Sequence, residues 1–209
     1  GTYSGSCDSS GNIKVDIGSN RAASKQTVEH EMTHNFQFAK RADGSSHINP
    51  WSSNFVDEGM AEWIGRYSSM KNFNLTWQEI EKELDDSGSL NIYDYYHRSW
   101  YDIFTDWPGA YNKSYVHSGH YYAGSYLFMK FLSDKFGKEI VAKIYNEVVN
   151  NPGTANDTTG IKAIEKATGK KFDDLLAEFN LYRLENRFPQ YKNDQRFASD
   201  YNETGVVCL

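Results

Sequence analysis

The sequence has no long hydrophobic run, no excess of basic residues and only two cysteines. No stretch approaches the roughly 18 uninterrupted apolar residues of a transmembrane helix, so a membrane span is not expected. The net charge of −6, with no compact basic run, argues against nucleic acid or an anionic membrane surface as a partner. No internal repeat or low-complexity segment is found. We therefore expect one domain, residues 1–209, that is long enough to bury a core without needing cross-links.

The two cysteines, Cys7 and Cys208, lie almost at the ends of the chain. Neither lies in an apolar periodic segment, where a buried reduced cysteine would be expected. Two free thiols are the alternative, but a disulfide joining the ends is favoured and predicts an extracellular protein. Any signal peptide is expected to have been removed or not included, because the first six residues contain no apolar run. Four N-x-S/T sequons are compatible with eukaryotic secretion but carry little meaning in a bacterium: Asn74, Asn112, Asn156 and Asn202.

The string H-E-x-x-H occurs once, at residues 30–34. On a helix, residues four apart lie on one face, so His30 and His34 would present two imidazoles to one metal ion. Glu31 lies about 100° round the helix from His30, within reach of a metal-bound water without being forced to ligate. Zn²⁺ bound by neutral imidazoles lowers the pKa of its water towards about 7, and a neighbouring carboxylate can then take the proton. The string is typical of a zinc hydrolase.

The surrounding segment, residues 22–40, has the pattern of an amphipathic helix. Apolar residues recur at intervals of three or four, at Val28, Met32, Phe36 and Ala39, and Asp43-Gly44 follows as a stop signal. A metzincin would place a third histidine six residues after His34, where this chain has Lys40, so that class is excluded. The third ligand is expected further on, in the run V-D-E-G-M-A-E-W at residues 56–63. Glu58 in this run lies 24 residues after His34.

H-E-x-x-H followed by D-E-G-x-A-E-W resembles the gluzincin metallopeptidases, whose third zinc ligand is a glutamate on the next helix. The likeness is greatest to clostridial collagenases and to aminopeptidases with an N-E-G-x-A element. The resemblance implies that Glu58 is the third ligand. In thermolysin-like members an acidic residue four positions later supports the first histidine, which implies that Glu62 supports His30. Ligating histidines usually donate their other N–H to such a group, although a solvated helix carboxylate is the alternative for Glu62.

A strongly periodic helix is predicted over residues 119–136. Aminopeptidases among the gluzincins carry a Y-x-x-G element at such a helix start, and aligning its glycine with Gly124 selects Tyr121. The resemblance implies that Tyr121 donates a hydrogen bond to the oxyanion, a contribution of about 3 to 4 kcal/mol when preorganised. His120 and Tyr122 are rival donors. A packing role for Tyr121 also remains open.

The other segments are predicted to support this centre. Residues 1–20 form an N-terminal arm with one short strand between 11 and 18. A capping box, Thr76-x-x-Glu79, opens a third helix that runs to Asp86. The aromatic-rich stretch 90–118 either lines subsites or anchors a loop to the core. Three apolar stripes after Lys138 indicate scaffold helices, and residues 187–209 form a polar tail.

Other possible metal ligands are not favoured. His47 lies in the loop at 43–53 and is interpreted as an exposed side chain. The pairs Asp85-Asp86 and Asp173-Asp174 could attract Ca²⁺, but they lack the spacing of a calcium loop. Solvated helix ends are the favoured interpretation of both pairs.

The sequence therefore predicts a mainly α fold with a minor strand component, a zincin-like catalytic domain with its cleft between the zinc helices and the helix near Tyr121. The expected function is that of a secreted, monomeric zinc endopeptidase acting on peptides or proteins. An aminopeptidase is the alternative, although no G-x-M-E-N element is present to bind a free amino terminus. A metal-stabilised binding module is a further alternative. Glu31 speaks against it, because a structural site has no need of a base.

Overall fold

The computed structural model describes residues 5–8, 10–16, 21–38, 54–77, 79, 118–150 and 160–185. These ranges contain strands β1 (Gly5–Cys7) and β2 (Ile13–Val15) and helices α1 (Arg21–Phe38), α2 (Asn54–Phe73), α3 (Ser118–Phe136), α4 (Glu139–Asn150), α5 (Ile161–Thr168) and α6 (Phe172–Glu185). The described part is mainly helical with a small strand component, which confirms the predicted fold class at that level. None of its helices combines the length and apolar character that a membrane crossing requires.

The two strands form an antiparallel hairpin in which Gly5 lies opposite Val15 and Cys7 lies opposite Ile13. The Asp8 carboxylate holds the turn, because its Oδ1 atom accepts the backbone N–H groups of Ser10 and Asn12 at 2.8 and 3.0 Å. Such Asx contacts replace ladder bonds where the chain reverses. The hairpin packs against α1. Its second strand lies within the predicted segment, whereas β1 was not predicted.

Two glycines of α2 allow neighbouring helices to approach it closely. A Cβ atom on Gly65 would lie 2.6 Å from the backbone oxygen of Gln26 on α1. A Cβ atom on Gly59 would lie 2.8 Å from the backbone oxygen of Ser125 on α3. Because carbon and oxygen atoms cannot approach so closely, any other residue would force the helices apart. Helix α2 therefore contacts both α1 and α3, and Glu58 lies next to the second crossing.

The apolar core lies among α2 to α6. Its largest fully buried side chains include Phe128 of α3, which contacts Phe131, Phe172 and Phe179 with ring centroids 5.1 to 5.7 Å apart. Burial of such a ring stabilises the fold by about 1.5 to 3 kcal/mol relative to its exposure. The three scaffold stripes predicted after Lys138 are confirmed as parts of α4, α5 and α6. Each contributes buried residues to the core: Ile140, Val141 and Ile144; Ala163 and Ile164; Phe172, Leu175, Leu176 and Phe179.

The predicted capping box after α2 is confirmed. Glu79 Oε2 accepts from the backbone nitrogen and hydroxyl of Thr76 at 2.7 and 2.8 Å, and the Glu79 N–H donates to Thr76 Oγ1 at 3.2 Å. The predicted extension of this helix to Asp86 lies outside the described residues.

Helix α1 buries a polar face. Met32 and Phe36, which belong to the apolar stripe that suggested an amphipathic helix, are 42% and 70% exposed. The buried positions described on this helix are polar instead: Ser24, Gln26, Thr27, His30, Glu31, Thr33, His34 and Gln37. The helix itself is confirmed, but Met32 and Phe36 of its apolar stripe do not face the core. The reason is that the inner face carries the two histidines, which contact carboxylates of α2.

Candidate metal centre

Three potential metal ligands converge where α1 meets α2. His30 Nε2 and His34 Nε2 are 3.0 Å apart, and Glu58 Oε2 lies 3.2 and 3.1 Å from them. This group of His30, His34 and Glu58 could hold a metal ion. A tetrahedral zinc ion with bonds of about 2.0 to 2.1 Å separates two ligand atoms by roughly 3.3 to 3.4 Å. Small outward movements of the three side chains would therefore be enough to fit this ion.

Which nitrogen of each histidine ring carries the proton decides whether the group can accept a cation. His30 Nδ1 lies 3.0 Å from Glu62 Oε1, and His34 Nδ1 lies 2.6 Å from Gln37 Oε1. A neutral imidazole has one N–H, and these acceptors favour placing it on Nδ1. The Nε2 lone pairs of His30 and His34 then face each other and a carboxylate oxygen. Such a cluster of acceptors is favourable only when a proton or a metal ion lies among them, so the donor set fits a metal.

The electrostatics of the metal-free centre lead to the same conclusion. Burial disfavours an imidazolium at His30, but the carboxylates of Glu58 and Glu62 outweigh it and raise the pKa of His30 to about 10. Burial opposes charge on His34 too, and Glu58 raises the pKa of that ring. The pKa of Glu58 is lowered in spite of burial, because both histidines stabilise its anion. The centre therefore attracts positive charge.

Glu62 is buried and has three partners. Besides the contact with His30, its Oε2 atom accepts from Gln26 Nε2 at 3.0 Å and from Arg66 Nε at 3.2 Å. Arg66 is fully buried, and its guanidinium carbon lies 4.3 Å from the centre of the Tyr126 ring. Burial raises the pKa of Glu62, but His30 and Arg66 outweigh it and lower that pKa. Glu62 is thus held as an anion against the ring of His30, in the position of a supporting carboxylate.

Gln37 joins His34 to the other ligand helix. Its side-chain nitrogen donates to the backbone oxygen of Asp57 at 3.0 Å, one residue before Glu58. Sequence analysis missed Gln26, Gln37 and Arg66 as parts of the centre. The signal for the glutamines was their spacing, since residues 26, 30, 34 and 37 recur at intervals of four, four and three on one helix face.

Glu31 is 5% exposed and lies directly beneath β1. A Cβ atom on Gly5 would lie 2.6 Å from Glu31 Oε1, so the absence of a side chain there leaves room for the carboxylate. Burial raises the pKa of Glu31, while the positive charges of His30 and His34 partly oppose the increase. Glu31 follows His30 directly on α1, and its carboxylate interacts electrostatically with both histidines. A higher pKa makes it a stronger base once it is ionised.

Several predicted residues cannot be placed. Helix α3 begins at Ser118 and includes positions 120–122, but the side chains of His120, Tyr121 and Tyr122 lie outside the described residues. Ser125 of the same helix contacts Gly59, which is adjacent to Glu58. The backbone at Tyr121 is therefore about 6 Å along the helix axis from that crossing.

Cys7 is a free thiol within the described residues, and Cys208 lies outside them, so the bridge stays a prediction. His47, the aromatic segment before Ser118, Asp85-Asp86 and the C-terminal tail also lie outside. Asp173 and Asp174 are exposed in the first turn of α6, which agrees with solvated helix-end carboxylates.

Comparison with known proteins identifies the family but not the activity. Residues 2–204 match the model of a family described as a family of unknown function, DUF6055. Because the match spans nearly the whole chain, the protein belongs to this family. No curated protein and no solved structure matches it.

Proposed function

We propose that this member of DUF6055 is a zinc-dependent metallopeptidase of the gluzincin type, with a zincin-like catalytic domain. The observation that carries the proposal is the convergence of His30, His34 and Glu58 within 3.0 to 3.2 Å of one another, with a buried glutamate, Glu31, next to His30 in the sequence of α1. Two motifs 24 residues apart supply these ligands, and the fold brings them to one point. Two imidazoles and one carboxylate form a ligand set typical of catalytic zinc.

The number of ligands favours a catalytic over a structural ion. Among the described residues the ligand group has three members. Structural zinc sites are usually closed by four protein ligands, whereas catalytic sites keep one position for water or substrate. Glu31 adds a carboxylate that a structural site does not require. These features support a peptidase over the alternative of a metal-stabilised binding module.

The chain's own groups have distinct roles in the proposed reaction. His30, His34 and Glu58 would hold Zn²⁺, which when bound would supply the Lewis acidity for activating a water and polarising the substrate carbonyl. Glu31 takes a proton from the attacking water and gives it to the leaving amine. Glu62 holds the ring of His30 through Nδ1, 3.0 Å away. On the basis of the gluzincin resemblance, Tyr121 or His120 donates to the carbonyl oxygen as negative charge develops on it.

We propose internal cleavage of peptides or proteins rather than removal of amino-terminal residues. This choice is supported by the sequence, which lacks the G-x-M-E-N element that aminopeptidases of this type use to bind a free amino terminus. Secretion and a monomeric state are part of the same proposal. Secretion rests on the predicted bridge between Cys7 and Cys208.

Metal analysis combined with cleavage mapping on a denatured protein substrate tests the proposal. We expect one zinc ion per chain and cleavage at internal peptide bonds, abolished by a chelator and restored by added zinc. Zinc binding without any cleavage would favour the binding module. Release of single amino-terminal residues would favour the aminopeptidase, and absence of zinc binding would contradict all three.

A further inference from the structure

Gln37 is almost completely buried, 1% exposed, one helical turn after His34. Each polar end of its side chain has a different partner. The oxygen lies 2.6 Å from His34 Nδ1, and the nitrogen lies 3.0 Å from the backbone oxygen of Asp57. The amide thus bridges a histidine of α1 and the backbone of α2.

These two partners determine how the amide is oriented. The backbone oxygen of Asp57 carries no hydrogen, so only the –NH₂ end of Gln37 can form a hydrogen bond with it. The amide oxygen must therefore face His34, and it can only accept. His34 must then carry its proton on Nδ1, which leaves the Nε2 lone pair directed at His30 Nε2 and Glu58 Oε2, 3.0 and 3.1 Å away.

We propose that Gln37 is a positioning residue that fixes the metal-binding tautomer of His34 and sets its spacing from Glu58. The inference rests on the proposed zinc site and assigns the second histidine a partner that the family resemblance does not supply. The bond to Asp57 ties His34 to the residue that precedes Glu58, so the two ligands move together. His30 is oriented by a carboxylate, Glu62, whereas a neutral amide orients His34. The centre thus contains one anionic and one neutral orienting group.

Three variants test this role. Gln37→Met keeps the length of the side chain but removes both hydrogen bonds. Gln37→Glu keeps an acceptor for His34 Nδ1. Thr33→Val is the matched control, because it removes a partly buried hydrogen bond within α1, from Thr33 Oγ1 to the backbone oxygen of Glu29 at 2.8 Å.

Two readouts are needed, the zinc dissociation constant by chelator competition and the tautomer of His34 by ¹⁵N NMR. The tautomer is measured in the metal-free protein, at a pH where the ring is neutral. We expect Gln37→Met to weaken zinc binding about 10- to 100-fold, the usual effect of losing such a partner, and to let His34 populate both neutral tautomers. Gln37→Glu should retain the Nδ1–H tautomer and bind zinc more tightly than Gln37→Met. Thr33→Val should bind zinc like the parent.

Parent-like zinc affinity and an unchanged tautomer in Gln37→Met would overturn the proposal, as would equal weakening by Thr33→Val. A parent protein that binds no zinc would contradict the proposed function instead. In that case the tautomer in the metal-free variants still decides whether Gln37 orients His34.

Discussion

Glu31 combines burial, a raised pKa and electrostatic interactions with the two histidines, which suit a general base. Its nearest acidic neighbour on α1, Glu29, pairs instead with Lys25 one turn earlier on the helix. The two glutamates are two residues apart and point in different directions. They therefore provide a direct comparison of a carboxylate at the centre with one outside it.

We expect Glu31→Gln to retain zinc and the fold but to lower turnover at least 10² to 10⁴-fold, because the amide cannot accept the proton. Glu29→Gln is the control and should keep parent-like activity. Zinc content and kcat/KM on the same peptide substrate are the measurements. Near-normal turnover of Glu31→Gln would show that another group acts as the base.

At the scale of helices and strands, local sequence patterns predicted which segments form helices better than they predicted which side chains of those helices are buried. The H-E-x-x-H and D-E-G-x-A-E-W segments are helical as predicted, and Thr76 and Glu79 form the predicted cap. Strand β1 was missed because Gly-Ser-Cys has no apolar alternation and pairs only through the hairpin. The burial of Gln37 and Arg66 could not be predicted from the sequence. Gln37 is buried where it contacts the Asp57 backbone of α2, and Arg66 where it contacts Glu62 and the ring of Tyr126 on α3. Met32 and Phe36 are exposed because the opposite face of α1, which carries the two histidines, is the buried one.

The crossing of α1 and α2 at Gly65 brings the proposed zinc ligands of the two helices together. Gly65→Ala places a methyl group against the Gln26 backbone oxygen, so the helices must separate. Overpacking of this kind costs about 1 to 3 kcal/mol, and we expect a loss of that size together with weaker zinc binding. Urea unfolding and chelator competition measure the two effects. Ser68→Ala on the same helix is the control, and equal behaviour of the two variants would contradict a close crossing at Gly65.

For the whole molecule, the charges at the centre link stability to pH. In the metal-free protein the folded-state pKa of His30 is about 10, above its ordinary value of 6.5. The protonated ring therefore stabilises the fold fully below about pH 6.5, and this contribution is lost as the pH rises towards about 10. Glu62 has a lowered pKa, so its contribution is present above its ordinary value of 4.5 and is lost as the pH falls.

We expect the metal-free protein to lose stability on the alkaline side, and saturating zinc to remove that loss by replacing the proton. Urea unfolding between pH 6 and 10, with and without zinc, measures the difference. A His30→Gln variant should show a smaller alkaline decline, because only His34, whose pKa is also raised, still contributes to it. An identical decline in this variant would place its origin elsewhere in the molecule.

The predicted bridge between Cys7 and Cys208 would close almost the entire chain into one loop. In the chain-entropy model a loop of this length stabilises the fold by about 5 kcal/mol. We expect the intact mass after alkylation without reductant to show no added label, and urea stability to fall on reduction. Two alkylated cysteines in the unreduced protein would refute the bridge and remove the main support for secretion.

The central claim is that His30, His34 and Glu58 hold a catalytic zinc ion. The most direct test is to measure zinc retention after dialysis against a weak chelator. The isosteric variants Glu58→Gln, Glu62→Gln and Asp57→Asn separate the ligand from its acidic neighbours while leaving Arg66 a hydrogen-bond partner. Loss of a ligand should nearly eliminate retention, whereas loss of a supporting group typically costs only about 10- to 100-fold in affinity. We predict the greatest loss in Glu58→Gln, less in Glu62→Gln and least in Asp57→Asn. Zinc retained by Glu58→Gln but lost from Glu62→Gln would contradict the assignment and make Glu62 the third ligand.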